Sequence, residues 1–130
     1  MATLEYFVAA ESLSIDRATN KVSVFNIIEE VHPTQPGRLV PFYILASWNF
    51  EPHEVGQDFQ ATFRIEGPDF QKDDRTNFTV RGRRHRISLR IDGLPIAQPG
   101  TLTLSVRLND EPQATHTIDV SNPVRPPEIS

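Results

Sequence analysis

Apolar and polar residues alternate with a period of two along most of this chain, which commits it to strands with one face in a core and the other in water. Phe59, Ala61, Phe63 and Ile65 alternate with Gln60, Thr62, Arg64 and Glu66. Ile87, Leu89 and Ile91 alternate with Arg86, Ser88 and Arg90. Leu102, Leu104, Val106 and Leu108 form a third row, and Ala114, His116, Ile118 and Val120 a fourth. Nearer the N-terminus, Leu4, Tyr6, Val8 and Ala10 read as one apolar row, with Phe7 as an exception. A turn around Asp16–Asn20 then leads into Val22–Ile28. The run from Leu39 to Phe50 is apolar on both faces and predicts a central strand covered on both sides.

Turn formers punctuate these runs at His32-Pro33, Gln35-Pro36-Gly37, Glu51-Pro52, Glu66-Gly67-Pro68-Asp69, Gln98-Pro99-Gly100 and Asn109-Asp110-Glu111-Pro112. No window sustains a helical period. A chain of 130 residues is long enough to bury its own core. About seven or eight short strands at this spacing predict an all-β fold, a single antiparallel β-sandwich. The sandwich is expected over residues 2–121, followed by a proline-rich tail over 122–130 whose prolines cannot donate to a sheet ladder.

Three stretches carry a resemblance: Leu4-Glu5-Tyr6-Phe7-Val8-Ala9-Ala10-Glu11, the hairpin Asn20-Lys21-Val22-Ser23-Val24-Phe25, and Pro99-Gly100-Thr101-Leu102-Thr103-Leu104-Ser105-Val106. Together they resemble an uncharacterised bacterial family of small β-sandwich proteins with no assigned activity. The last stretch, with Arg107–Val120, is also similar to the closing hairpin of immunoglobulin-like folds. The resemblance implies an immunoglobulin-like sandwich and assigns no catalytic residue.

The chain contains no cysteine, which removes disulfides, thiolate metal sites and thiol nucleophiles. A small domain without crosslinks suits a reducing compartment, and the first residues show no basic, then apolar, leader pattern, so a cytoplasmic setting is expected. No apolar stretch approaches the ~20 residues of a membrane-spanning helix. Phosphate-loop glycine motifs and a G-x-S-x-G elbow are also missing from the sequence. His32, His53, His85 and His116 lack the short spacing of zinc ligands. No catalytic residue, cofactor or metal is therefore expected, and His116 reads as a hydrogen-bonded histidine at the core margin.

Two weaker constellations remain. If Asp69, Asp73 and Asp74 shared one end of a sandwich with Asn109-Asp110-Glu111, their oxygens would suit calcium, although Asp and Asn make good turns unaided. An enzyme would need at least two of His32, His53, Asp73, Asp74 and Asp110 brought together in a cleft.

Charge is distributed unevenly. Net charge is −4, yet an acidic block over residues 51–80 runs directly into Arg81, Arg83, Arg84, Arg86 and Arg90. Alternation sets Arg84, Arg86 and Arg90 on the face opposite Ile87, Leu89 and Ile91. Three readings follow in order: cross-strand pairing with acids such as Glu66 or Asp119, contact with an acidic protein partner, and, last, nucleic acid. The acidic whole and the lack of interleaved aromatics stand against the third. Trp48, with Tyr43, reads either as a core anchor or, if exposed, as a ligand-stacking surface for a small molecule or carbohydrate. The functional expectation is a non-enzymatic binding or structural module, using a sheet face or edge strand toward another protein or a second copy of itself.

Overall fold

Leu39–Phe50 was expected to run through the middle of a sheet, and the structure, a computed structural model, places a strand there at Phe42–Asn49. It describes residues 2–31, 37–38, 41–96 and 99–121, with 37, 38, 95 and 96 described in backbone only. The strands in chain order are β1 (Thr3–Ile15), β2 (Val22–Ile27), β3 (Glu30–Val31), β4 (Gly37–Arg38), β5 (Phe42–Asn49), β6 (Asp58–Glu66), β7 (Gln71–Thr79), β8 (Arg84–Ile91), β9 (Pro95–Ile96), β10 (Gly100–Leu108) and β11 (Glu111–Val120). A single 3-10 turn, Pro52–Glu54, links β5 to β6. Eight of the strands are six residues or longer, against the seven or eight expected. The expected tail over 122–130 lies outside the described residues, as does His32.

Two sheets face each other. One has the order β2-β1-β5-β8, the other β3-β11-β10-β6-β7, and β4 and β9 form a separate two-stranded pair. All pairings are antiparallel except that of β3 with β11. From the first sheet Phe7, Ala9, Phe42, Ile44, Ala46, Trp48, Ile87 and Ile91 enter the core. From the second come Ala61, Phe63, Ile65, Leu102, Leu104, Val106, Leu108, Ile118 and Val120, so the alternating rows of the sequence are the rows that meet. The Phe7 and Phe63 rings span the two layers with centroids 6.4 Å apart.

β1 departs from the expected row. A bulge between Leu4 and Tyr6 flips the parity of the strand. Leu4 still packs on the core, but beyond the bulge Phe7 and Ala9 face inward, while Tyr6, Val8 and Ala10 lie in register with Ser47, Leu45 and Tyr43 on the outer face. The apparent exception, Phe7, is thus the true core residue.

β7 has no counterpart among the alternating rows of the sequence. It is a nine-residue edge strand, mostly exposed, and Lys72, Asp73, Asp74 and Arg75 are the charged residues that an edge uses to discourage pairing with other chains. Phe78 anchors it, with its ring 6.1 Å from Phe59 and from Phe50, 6.4 Å from Trp48 and stacked on His85 at 4.0 Å. The β6–β7 turn closes with Gly67 N–H donating to the Phe70 carbonyl at 2.9 Å. A Cβ on Gly67 would come within 2.3 Å of the Phe70 ring, so a larger residue there requires that ring to move.

His85 is half-buried against Phe78, and the desolvation holds its imidazole below the ordinary value of 6.5. Desolvation disfavours the charged ring in the fold, so as pH falls through about 6.5 the unfolded chain takes up this proton first. Stability contributed by the neutral ring is fully present above that pH and is lost below it. Urea denaturation at about pH 7.5 and about pH 5.5 should show the wild type less stable at the lower pH, with a smaller loss in His85→Phe. Equal losses in the two proteins would remove His85 as the source.

Candidate binding surface on the outer face of the four-stranded sheet

The arginine row lies on β8, an edge of the four-stranded sheet. Arg84, Arg86 and Arg90 are in register with Asn49, Ser47 and Tyr43 of β5, so all three side chains rise from the outer face, as alternation required. None of them meets Glu66 or Asp119. Both acids belong to the opposing sheet, where Glu66 lies 3.6 Å from Arg64 and Asp119 accepts a hydrogen bond from Thr101. The row is instead held within its own sheet and its loops. Arg84 Nε donates to Glu5 Oε1 at 2.8 Å. Arg86 donates through both η nitrogens to the Asn20 backbone and side-chain oxygens, at 3.2 and 2.9 Å. Arg90 Nε donates to Asp92 at 2.9 Å, its Nη1 to the Tyr43 hydroxyl at 3.4 Å, and its guanidinium lies 5.9 Å from the Tyr43 ring centre. Hydrogen bonds to Asp92 and then to Tyr43 raise the Arg90 pKa above its ordinary value. Internal pairing was the first expectation; its partners are different ones.

The bond from Arg86 to Asn20 reveals how β1 and β2 run. Arg86 is opposite Ser47, and Ser47 is opposite Tyr6 near the start of β1. Asn20 follows the end of that strand, at Ile15. Were β1 straight, nine residues would carry Ile15 about 30 Å beyond Tyr6, far outside the reach of an arginine. The β1–β2 hairpin therefore folds back toward the outer face of its own sheet. β1 pairs with β5 over Thr3–Ala10 and with β2 over Ala10–Ile15, so the change of direction falls at Ala10. There the side chains are small, with Ala9 and Ala10 fully buried, and Asn26, opposite Glu11, takes a left-handed backbone at φ 58° while its Nδ2 donates to Glu11 Oε2.

The hairpin tip is preformed. Asp16 Oδ1 accepts the backbone N–H groups of Ala18 and Thr19, the Asp16 carbonyl accepts that of Asn20, and Asn20 sits in the left-handed region at φ 57°. Between tip and sheet is a cleft of about 670 Å³ lined by Glu5, Tyr6, Thr19, Asn20, Lys21, Val22, Ser47, Arg84 and Arg86. β2 itself is the other edge of this sheet, with Phe25 and Ile27 exposed at 50% and 52%.

The remaining candidates are placed as follows. Trp48 is fully buried, its Nε1–H donating to Gln113 Oε1 at 3.4 Å. It has no ring face left for a ligand, and Tyr43 lies against Arg90 rather than beside it. The calcium arrangement does not form. β10 runs antiparallel to β6, which puts the Gly67–Phe70 turn beside the start of β10 and the Asn109-Asp110 turn beside Gln60, at opposite ends of the sheet. Asp73 and Asp74 lie within β7, and Arg64 bonds both carboxylate oxygens of Asp73, holding its carboxyl below the usual range. The shared end that this weaker reading needed is not there, because β7 adds a strand and shifts the order of the loops. Among the described residues, His53, Asp73, Asp74 and Asp110 share no hydrogen bond; His53 lies instead 3.4 Å from Glu51. Glu51, His53 and Glu54 bring ligand-type atoms within 4.8 Å of one another, a grouping with no signal beyond ordinary loop acids in the sequence. His116 Nε2 lies 2.7 Å from the Ile28 carbonyl at the core margin, as read.

The Arg86–Asn20 contact yields a direct expectation. Arg86→Ala should speed amide hydrogen exchange at residues 18–24 while lowering global stability by no more than about 1 kcal/mol, the scale of an exposed charge-assisted bond. Unchanged exchange in that segment would mean the tip is held by its own turn alone.

A search of curated proteins and of solved structures found no match. Among the described residues no helix is long and apolar enough to cross a membrane. The model of one family, described as a family of unknown function (DUF6941), matches residues 5–121, and the chain belongs to that family.

Proposed function

We propose that the protein is a non-enzymatic interaction module that takes an extended segment of a partner protein onto the β2 edge of its four-stranded sheet. The observation that carries this reading is the contrast among its edges. β7 carries Lys72, Asp73, Asp74 and Arg75, and β8 carries the three arginines, so both are blunted by charge. β2 reads Val22-Ser23-Val24-Phe25-Asn26-Ile27, has no charged residue, and exposes Phe25 and Ile27. Among the described residues its backbone pairs only with β1. An uncharged edge with exposed apolar side chains is what strand addition uses: main-chain bonds supply affinity and alternate side chains supply specificity. The left-handed backbone at Asn26 limits regular pairing to Val22–Phe25.

The arginine row ranks below the edge because each guanidinium already has a partner in the chain. The small-ligand reading built on Trp48 ranks lower still, since that ring is inaccessible. The proposal includes a cytoplasmic setting in a bacterium and an immunoglobulin-like character for the sandwich. The absence of cysteine supports the first, the resemblance of the three quoted stretches to a bacterial family the second, and the closing hairpin the third.

The test compares wild type with Phe25→Glu/Ile27→Glu in cross-linked affinity capture and in sedimentation. Both side chains are exposed, so the variant is expected to stay folded, which the near-ultraviolet signal of Trp48 reports. Removing two apolar contacts and adding two charges should weaken partner capture, or self-association if the partner is a second copy, by at least about tenfold. Equal capture by both proteins, or loss only in Arg84→Glu/Arg86→Glu/Arg90→Glu, would overturn the assignment to β2.

A further inference from the structure

We propose that the cleft beneath the β1–β2 hairpin tip is a binding site for a small organic anion bearing phosphate or carboxylate groups. The site touches β2 only at Val22; Phe25 and Ile27, the exposed side chains of the edge, do not line it. Its volume of about 670 Å³ falls within the range of small-molecule pockets. Its charge runs against that of the protein. The chain as a whole is at −4, yet the cleft is lined by three cations, Lys21, Arg84 and Arg86, and one acid, Glu5.

The hydrogen bonds divide these cations into two roles. Arg86 spends both η nitrogens on Asn20 and so fixes the hairpin wall. Arg84 spends only Nε, on Glu5, which leaves its two η nitrogens without an acceptor among the described residues. The Lys21 backbone N–H donates to Thr19 Oγ1, and its ammonium likewise has no acceptor among the described residues. An arginine with a free pair of η donors beside a lysine supplies the planar fork and the point charge that phosphate and carboxylate groups take. Tyr6, Thr19 and Ser47 add hydroxyls and Val22 an apolar patch, enough to hold an organic body as well as its charged head.

The walls are ordered before any ligand arrives. Ser47 is on the central strand, with Arg86 and Tyr6 in register on either side of it. The opposite wall is the turn fixed by Asp16. A preformed site of this kind loses little entropy on binding.

The experiment titrates the folded protein at low salt with sodium pyrophosphate and, separately, with sodium citrate, followed by calorimetry and by amide chemical shifts. Saturable binding is expected, with shifts confined to residues 5–6, 19–22, 47 and 84–86. Lys21→Gln/Arg84→Gln should weaken it at least about tenfold, whereas Arg90→Gln, on the same row but outside the cleft, should change it less than about twofold. Saturation by pyrophosphate alone assigns a phosphate ligand, and by citrate alone a carboxylate. A dissociation constant weaker than about 1 mM for both probes would overturn the proposal. So would an equal loss of affinity in Arg90→Gln, which would mark diffuse attraction to the arginine row. Neither result bears on the β2 edge, whose variants leave the cleft intact.

Discussion

Burial of β5 on both faces is the constraint around which the structure is arranged. Phe42, Ile44, Ala46 and Trp48 fill the space between the sheets, while Leu45, pointing the other way, is also shut off from water and Ser47 is nearly so, at the floor of the cleft. A strand of this kind must be central, and β1 and β8 flank it. It also requires that the outer side of the sheet be more than a wet surface. Val8, Ala10 and Tyr6 supply part of that cover in register, and the hairpin tip that returns to Arg86 lies on the same side. The fold-back of β1–β2 belongs to the same solution as the apolar outer face of β5.

This arrangement turns the arginines from an exposed row into fasteners. Arg84 ties the start of β1 to β8 through Glu5, Arg86 ties the hairpin tip, and Arg90 ties Tyr43 and Asp92. Individually such exposed bonds are worth little in stability. Their effect is on geometry: they set where the hairpin rests, and so they shape both the cleft beneath it and the direction in which the β2 edge faces. The two proposals drawn from the structure share that hairpin but use different sides of it.

The strands with one buried row were legible from sequence because alternation is a local property. Leu102 to Leu108 and Phe59 to Ile65 could be read directly, and so could the inward set of β8. β7 could not, because an edge strand in water has no apolar row to display; only Phe78 and its contacts betray it. Missing it misplaced the loops and produced a calcium arrangement whose halves lie at opposite ends of the sheet. The bulge in β1 was equally silent, since a one-residue flip shows only when a partner strand sets the register. Of the candidate site, the arginines and their face were legible, but Glu5, Asn20 and Lys21 beside them were not.

Sequence alone determined the all-β class, the eight long strands to within one, the core rows of β6, β8, β10 and β11, the absence of thiol chemistry and the outward face of Arg84, Arg86 and Arg90. These follow from period-two patterning and composition, which need no partner to be expressed. Tertiary structure decided which strands became edges, where β1 turns back on itself and which groups the arginines meet. Those outcomes bring residues 5, 20 and 84–86 together across up to 79 positions of chain. Contacts that distant leave no periodic trace, because they are selected by the packing of whole sheets rather than by neighbouring side chains.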